Sequence, residues 1–418
     1  MSLNLPVLKN FPVESLDGPA VHALEEAAGR CRGNAVTMVT LADSGHPAGS
    51  LSSMEMYLAV YTAANLTPEN CSEIDRDYVV ISHGHTSPGA YAVLAELGFF
   101  DPMDAIAHFR QCGSPFQGHV ERDVPGIDWG SGNLGQGLSA AVGFALAQKS
   151  RKNGGRTYVL MGDGGQTKGQ IAEARRMAAK EKLANITVLV DWNRIQISGT
   201  VDSVMPADLP ALWKADGWEV LQCNGHSISE LYTALKKSAE NNVPTVILCT
   251  TVMGKGVSFM ENSSEYHGKA PREDLYVLAM KELGQDPSLL GEARKRRDSE
   301  PIPAGRHVAP SSGNLVPGDP VTYGLDKKTD NRSAFGAALA DVGKKNYGRE
   351  GGTPLLVFDC DLAGSVKTGD FAKNCPDWFI QAGIQEHSTA TAAGAASTAG
   401  VVSLWADFGV FGLSETYN

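Results

Sequence analysis

Tyr158-Val159-Leu160-Met161-Gly162-Asp163-Gly164, with Ile186-Thr187-Val188-Leu189-Val190-Asp191-Trp192-Asn193 downstream, decides the fold. Tyr158–Met161 and Ile186–Val190 are short continuous apolar runs, the pattern of parallel strands buried on both faces. Between them Gln170–Leu183 is rich in Ala, Arg, Glu and Met and predicts a helix. Strand, helix, strand is the βαβ unit of a doubly wound α/β sheet. Thr245–Cys249 predicts a further strand of the same sheet. Gly162-Asp163-Gly164 then follows one strand and opens a helix, and Asp191-Trp192-Asn193 follows the next. Both clusters belong at the C-terminal ends of adjacent strands, where such sheets bind ligands.

The chemistry of those two clusters suits a hard divalent cation. Mg²⁺ takes oxygen ligands from carboxylates, amide and backbone carbonyls and phosphates. Asp163 offers the first, Asn193 the second and the backbone of Ile195 the third, while Gly162 and Gly164 let a phosphate come close. The plainer alternative is a strand-end turn with Asp163 as a helix cap.

Working outward, alternating strand and helix patterns fill residues 20 to about 300. Glu300–Asp330 carries Pro301, Pro303, Pro310, Pro317 and Pro320 among Gly and Ser, a linker composition. Strand patterns resume at Pro354–Phe358 and Val401–Ala406, with a small-residue helix expected over Ser388–Ala399. The expected division is 1–300, a linker at 301–330, and 331–418, the last with room for about three strands and so a partial domain.

The chain has 418 residues, and its net charge of −11 argues against nucleic acid as a partner. There is no run of 18 uncharged apolar residues and no basic-then-apolar leader. The expectation is no membrane and no signal peptide. Seven scattered cysteines without a CxxC pair suit a reduced, cytoplasmic protein without disulfides or zinc.

A GDG with an Asn about thirty residues on is the thiamine-diphosphate fingerprint. Ser44-Gly45-His46-Pro47, Ser82-His83-Gly84-His85, Gly118-His119, Gly132-Asn133-Leu134-Gly135-Gln136-Gly137 and Tyr266-His267-Gly268-Lys269-Ala270-Pro271 also resemble the transketolase family. Gly254–Asn262 resembles the bacterial type whose halves are often separate polypeptides. The resemblance covers most of 25–275 and resumes from about 330.

It implies thiamine diphosphate held through Mg²⁺ (Ca²⁺ or Mn²⁺ substituting) by Asp163, Asn193 and Ile195. Gly132, Gly164, His85 and His267 would lie by the diphosphate, and Leu134 by the thiazolium ring. His46, His119 and His267 would handle the sugar hydroxyls and protons, since histidine titrates near neutrality. Gly383-Ile384-Gln385-Glu386-His387 resembles the segment with the essential glutamate, so Glu386 would bond the pyrimidine ring nitrogen. Without the resemblance, Glu386 reads as an acid at a helix N-terminus. Trp405, Phe408 and Phe411, placed after the last strand, resemble the aminopyrimidine pocket. Arg332 and Ser365 align with phosphate-binding positions, and Asp361 with a substrate or intersubunit contact.

Three positions depart from the family. Lys168 replaces a glutamate that links the two cofactor sites of the dimer, Asn133 replaces a small residue or Pro, and His83 stands where Lys or Asn is usual.

The expected fold is therefore α/β, a thiamine-diphosphate-binding PP domain plus part of a PYR domain. The expected activity is transfer of a two-carbon ketol unit from a ketose phosphate to an aldose phosphate through the cofactor's ylide. The implied assembly is a homodimer, or a complex with a separate C-terminal chain. The alternatives are a 1-deoxyxylulose-5-phosphate synthase-like enzyme using pyruvate, or a cofactor-binding half-enzyme inactive without a partner.

Overall fold

The computed structural model describes residues 5–306, 312–414 and 416. Its main sheet has five parallel strands: β1 (Tyr78–Ile81), β2 (Thr157–Gly162), β3 (Ile186–Trp192), β6 (Glu219–Asn224) and β7 (Thr245–Thr250), in the order β1-β2-β3-β7-β6. A two-residue antiparallel pair, β4 (Ile195–Gln196) and β5 (Gly199–Thr200), stands at the C-terminal edge of β3. A second parallel sheet holds β8 (Leu355–Asp359), β9 (Phe379–Gln381) and β10 (Val402–Ala406), in the order β10-β8-β9.

The strand sequences explain the layering. Successive side chains point to opposite faces, and both faces of the main sheet are covered. Tyr158 and Leu160 of β2, with Leu189 and Ile247 on its neighbours, enter one core, built largely from the Gly18–Ala42, Met54–Ala63 and Ser87–Glu96 helices. Val159 and Met161, with Val188, Val190 and Leu248, enter the other, shared with the Gly137–Arg151 and Gly169–Lys180 helices. Register is in step from β2 to β7: Leu160 faces Leu189, and Leu189 faces Ile247.

The second core does not stop at the first sheet. It continues through Leu356, Phe358, Ala392 and Ala396 of the second unit. The contact is made by two helices, Gly137–Arg151 and Glu386–Ser397. Gly143 is what allows their approach, because a Cβ there would run into the backbone of Ala392. Ser388 Oγ lies 3.0 Å from Ser139 Oγ, and Gln170 Nε2 donates to Thr391 Oγ1 at 2.9 Å.

The 301–330 stretch has neither helix nor strand among its described residues. It is nonetheless tied near its start and again at its middle. Arg306 donates to the carbonyls of Cys71, Arg122 and Ile127, and Asn314 donates to Thr353 and to the Gly351 carbonyl.

Several boundaries differ from expectation. Asp191 and Trp192 belong to β3 and do not follow it, because their ladder with β7 continues to Thr250. The predicted Gln170–Leu183 helix ends at Lys180. The predicted Ser388–Ala399 helix begins earlier, at Glu386. Trp405 lies inside β10, paired with Phe358, and not after the last strand.

Candidate active site

The C-terminal ends of β2 and β3 open onto a cavity of about 280 Å³. β2 ends at Gly162, and the chain turns at once into a 3₁₀ turn, Gly164–Thr167. Asp163 makes no side-chain cap there. Its Oδ2 instead accepts the Arg194 N–H at 2.6 Å. Arg194 has a left-handed backbone (φ 63°), so the chain turns sharply just after the N–H that Asp163 accepts. Asn193 Oδ1 accepts the Ile195 N–H at 2.9 Å. The two halves of the fingerprint are thus joined across adjacent strand ends.

Beneath them lies a charge absent from the sequence-based reading. Asp191 is 2% exposed. Its carboxylate accepts from Ser52 Oγ at 2.5 Å and Ser53 Oγ at 2.7 Å, and from Thr251 Oγ1. Asn193 Nδ2 lies 3.3 Å from both Asp191 Oδ2 and Ser52 Oγ. The amide nitrogen is therefore turned inward and the amide oxygen outward, which is the orientation a cation requires. His83 completes the layer. Its Nδ1 lies 3.0 Å from the Leu160 carbonyl, which can only accept, so the proton sits on Nδ1. Its Nε2 lies 3.1 Å from Ser53 Oγ. An acid at a strand end beside Asn was the signal available for Asp191. The serines and Thr251 had none, because they come from distant segments.

Asp163 is 5% exposed and has no cationic partner among the described residues. Burial first, then the nearby Asp191 charge, push its carboxyl up to about 7. A buried carboxylate without a counter-cation is costly. With Asn193 Oδ1 and the Ile195 carbonyl it forms an all-oxygen donor set of the kind Mg²⁺ prefers. The residues present therefore fit a Mg²⁺-held diphosphate. Gly132 offers open space, with no atom within 4 Å of a Cβ built there.

Four histidines meet at the mouth. The His46 ring centroid lies 5.1 Å from His85, 5.7 Å from His267 and 5.9 Å from His119. His85 and His267 are 5.2 Å apart. Burial lowers all four; His46 falls to about 4, helped by His267, His119 and the Arg110 charge. At neutral pH these imidazoles are uncharged, able to donate and to accept. His46 Nδ1 is buried without a hydrogen-bond partner. Leu134 is 42% exposed and lies against Gly165, so it is a cavity wall and not core.

The cavity thus gathers His46, His85, His119, His267, Gly132, Leu134, Asp163, Gly164, Asn193 and Ile195. Glu386 and Phe411 lie elsewhere, in a separate pocket with Cys360, Asp361, Leu362 and Ile384. Glu386 opens its helix beside Asp407 and Cys360, their ligand atoms within 4.8 Å of one another. Phe408 and Phe411 stack at a tilt, 6.0 Å apart. Trp405 adjoins this group, its ring 3.5 Å from a Cβ built at Gly412. Arg332 is an exposed residue of the Asn331–Asn346 helix, and Ser365 sits in the Ala363–Val366 turn; neither lines either pocket. The Lys168 side chain covers Gly135, whose φ of 97° excludes most residues.

Comparison with known proteins follows this geometry. Residues 24–294 match the family model "Transketolase, thiamine diphosphate binding domain". The chain is 36% identical over 270 residues to one of the subunits of apulose-4-phosphate transketolase from Phocaeicola vulgatus, covering 63% of this chain and 95% of that one. Human transketolase is 28% identical over 375 residues, 89% of this chain but 58% of its own length. Among solved structures, Campylobacter jejuni transketolase aligns with a TM-score of 0.75 at 27% identity, covering 94% of this chain and 66% of that one. The chain therefore spans about three fifths of the length of such full transketolases. With a family model covering well over half its residues, this chain belongs to the transketolase family.

Proposed function

We propose that the chain is a thiamine-diphosphate-dependent transferase that moves a two-carbon ketol unit from a ketose phosphate to an aldose phosphate. The observation that carries this reading is the convergence of the Asp163–Asn193–Ile195 oxygen set and four neutral histidines on one cavity. Asp163, Asn193 Oδ1 and the Ile195 carbonyl would hold Mg²⁺, with Ca²⁺ or Mn²⁺ as substitutes. His85, Gly132 and Gly164 would meet the diphosphate, and Leu134 would support the thiazolium ring. When bound, the cofactor supplies carbanion stabilisation that side chains lack. His46, His119 and His267 orient the sugar hydroxyls and move protons between them, a task suited to imidazoles uncharged at neutral pH.

Glu386 would bond the pyrimidine nitrogen, with Phe408 and Phe411 around that ring, and Arg332 and Ser365 would serve the substrate. Because Glu386 lies outside the histidine cavity of its own chain, one complete site would take its histidine half and its glutamate half from different chains. A homodimer answers this, as does a separate partner chain. The relatives whose names make them single subunits of a transketolase favour the partner. The division we propose is 1–300 as the diphosphate unit, 301–330 as the connector and 331–418 as the glutamate unit.

The test is a coupled assay of ketose phosphate and aldose phosphate with thiamine diphosphate and Mg²⁺. It is run on the chain alone and with a partner chain, beside Glu386→Ala. Cofactor-dependent exchange lost in the variant supports the reading. Exchange that persists in Glu386→Ala, or CO₂ release from pyruvate in its place, sinks it.

A further inference from the structure

We propose that Cys223 and Cys249 are a site of reversible oxidation, closing to a disulfide across the edge of the main sheet, with Cys223 as the thiol that an oxidant meets. The two are 26 positions apart in the chain. The sheet sets them side by side. β6 and β7 pair in parallel from Glu219 with Thr245 to Asn224 with Thr250, and Cys223 is the register partner of Cys249. Register partners point to the same face, and the two Sγ atoms lie 3.8 Å apart.

This placement meets the demands of a disulfide. Neighbouring strands run about 4.8 Å apart, inside the roughly 4.4–6.8 Å that separates bridged Cα atoms. The sulfurs can close the remaining gap by rotation about their Cα–Cβ bonds, with the ladder intact. The strands also stay joined beyond the pair, where the Gly225 N–H donates to the Thr250 carbonyl at 2.8 Å. On its other side Cys249 is the register partner of Asp191. The bond would thus clip β6 to the strand next to the one that carries the buried carboxylate.

Access separates the two thiols. β6 is the edge strand, and Cys223 is half-buried on it. Cys249 is fully buried on the inner strand, and its thiol donates to the Ile247 carbonyl at 3.6 Å. Burial, then the neighbouring Cys223, push the Cys249 thiol well above the ordinary range, so it keeps its proton. A hydroperoxide therefore reacts at Cys223. With hydrogen peroxide, the Cys223 thiolate breaks the O–O bond, takes one oxygen as a sulfenic acid and releases hydroxide. The Cys249 sulfur then attacks the Cys223 sulfur. The S–O bond breaks, and its hydroxide leaves as water with the Cys249 proton. Two thiols have lost two electrons, and the peroxide has become two waters. A reducing thiol reverses the bond by exchange.

The test uses the full chain as Cys112→Ser, which removes an exposed thiol. It is treated with hydrogen peroxide, unfolded, alkylated and digested with trypsin; Lys237 separates the peptides of the two cysteines. The expected result is a cross-linked pair of the Cys223 and Cys249 peptides that dithiothreitol parts. Amide exchange along β6 slows in the oxidised chain. In Cys249→Ala the reaction stops at a sulfenic acid on Cys223, which dimedone labels. That labelling runs at least ~10-fold faster than labelling of Cys249 in Cys223→Ala, because reactivity follows exposure. The proposal is overturned if both cysteines are recovered unlinked at a peroxide dose that oxidises Cys112 of the unsubstituted chain. Equal labelling in the two alanine variants overturns it as well.

Discussion

Asp191 holds the amide of Asn193: Nδ2 lies 3.3 Å from the buried Oδ2. That contact turns a flexible polar side chain into an oriented oxygen donor beside Asp163. The outward oxygen already accepts one N–H, from Ile195, and an amide oxygen has a second lone pair. Asp191→Asn should therefore weaken Mg²⁺-dependent cofactor binding by roughly 10–100-fold, as loss of a ligand's supporting partner commonly does. Calorimetric titration with thiamine diphosphate at fixed Mg²⁺ measures it. An unchanged affinity would mean that Asp191 serves only the packing around Ser52 and Ser53.

Removing the ligand itself should cost more. Asp163→Ala leaves no carboxylate at the strand ends able to face the cation, since Asp191 is taken up by three hydroxyls. Binding should fall at least ~100-fold, about 2.7 kcal/mol, and its dependence on Mg²⁺ should vanish. Thermal stability without metal should rise or stay level, because a buried unpaired acid is removed. A variant that still binds tightly with Mg²⁺ would place the metal elsewhere.

Acid should unfold the protein through its histidines. His46 and His83 are held near 4 in the fold, against about 6.5 in an unfolded chain. Between those values the unfolded state binds more protons, so stability is lost as pH falls from about 6.5 towards 4. His85, His119 and His267 are lowered too and add to the loss. Asp163 works in the opposite sense: its carboxyl, raised to about 7, costs stability as pH climbs from about 4 to 7. Asp77, Glu121 and Asp407 are raised by burial and act with Asp163, whereas Glu55, lowered beside Arg32, acts with the five imidazoles, and the net slope follows the histidines. Urea midpoints across this range should drop on acidification, and less steeply in His46→Asn. An identical slope in that variant would assign the acid sensitivity to other groups.

The joint between the two units should be sensitive at one glycine and tolerant at another. Gly143→Ala gains up to about 1 kcal/mol of helix propensity. The added Cβ meets the Ala392 backbone, which cannot rotate away, and such overpacking costs typically about 1–3 kcal/mol. The net should be destabilising by up to about 2 kcal/mol in urea unfolding. Gly394→Ala, on the facing helix with nothing within 4 Å, should stabilise by up to about 1 kcal/mol. If both substitutions stabilise, the helices have room that the packing denies them.

Three of the five main-sheet strands, β2, β3 and β7, were legible because they are bounded apolar runs, each ending in polar or glycine residues that need a strand end; β1 and β6 were not read, β6 because Glu219, Gln222 and Asn224 break its apolar run. Asp163, Asn193 and the histidines were legible for the same reason, since each stands in a short turn with a strong local signature. What escaped was set by contacts between distant segments. Ser52, Ser53 and Thr251 are ordinary residues until β3 delivers Asp191 among them. The even spacing of Trp405, Phe408 and Phe411 grouped aromatics that the backbone divides, the first within β10 and the last in the Gly409–Ser414 helix.

The Ala-rich helix beginning at Glu386 is seated on the Gly137–Arg151 helix, which itself follows directly from the Gly132–Leu134 loop. The distance between the histidine half and the glutamate half of one chain is thus fixed by side-by-side contact and owes little to the tether that joins them. A protease that nicked the 301–330 stretch would release no fragment; the two pieces would stay clasped, as a natural split of the gene at that point would also allow.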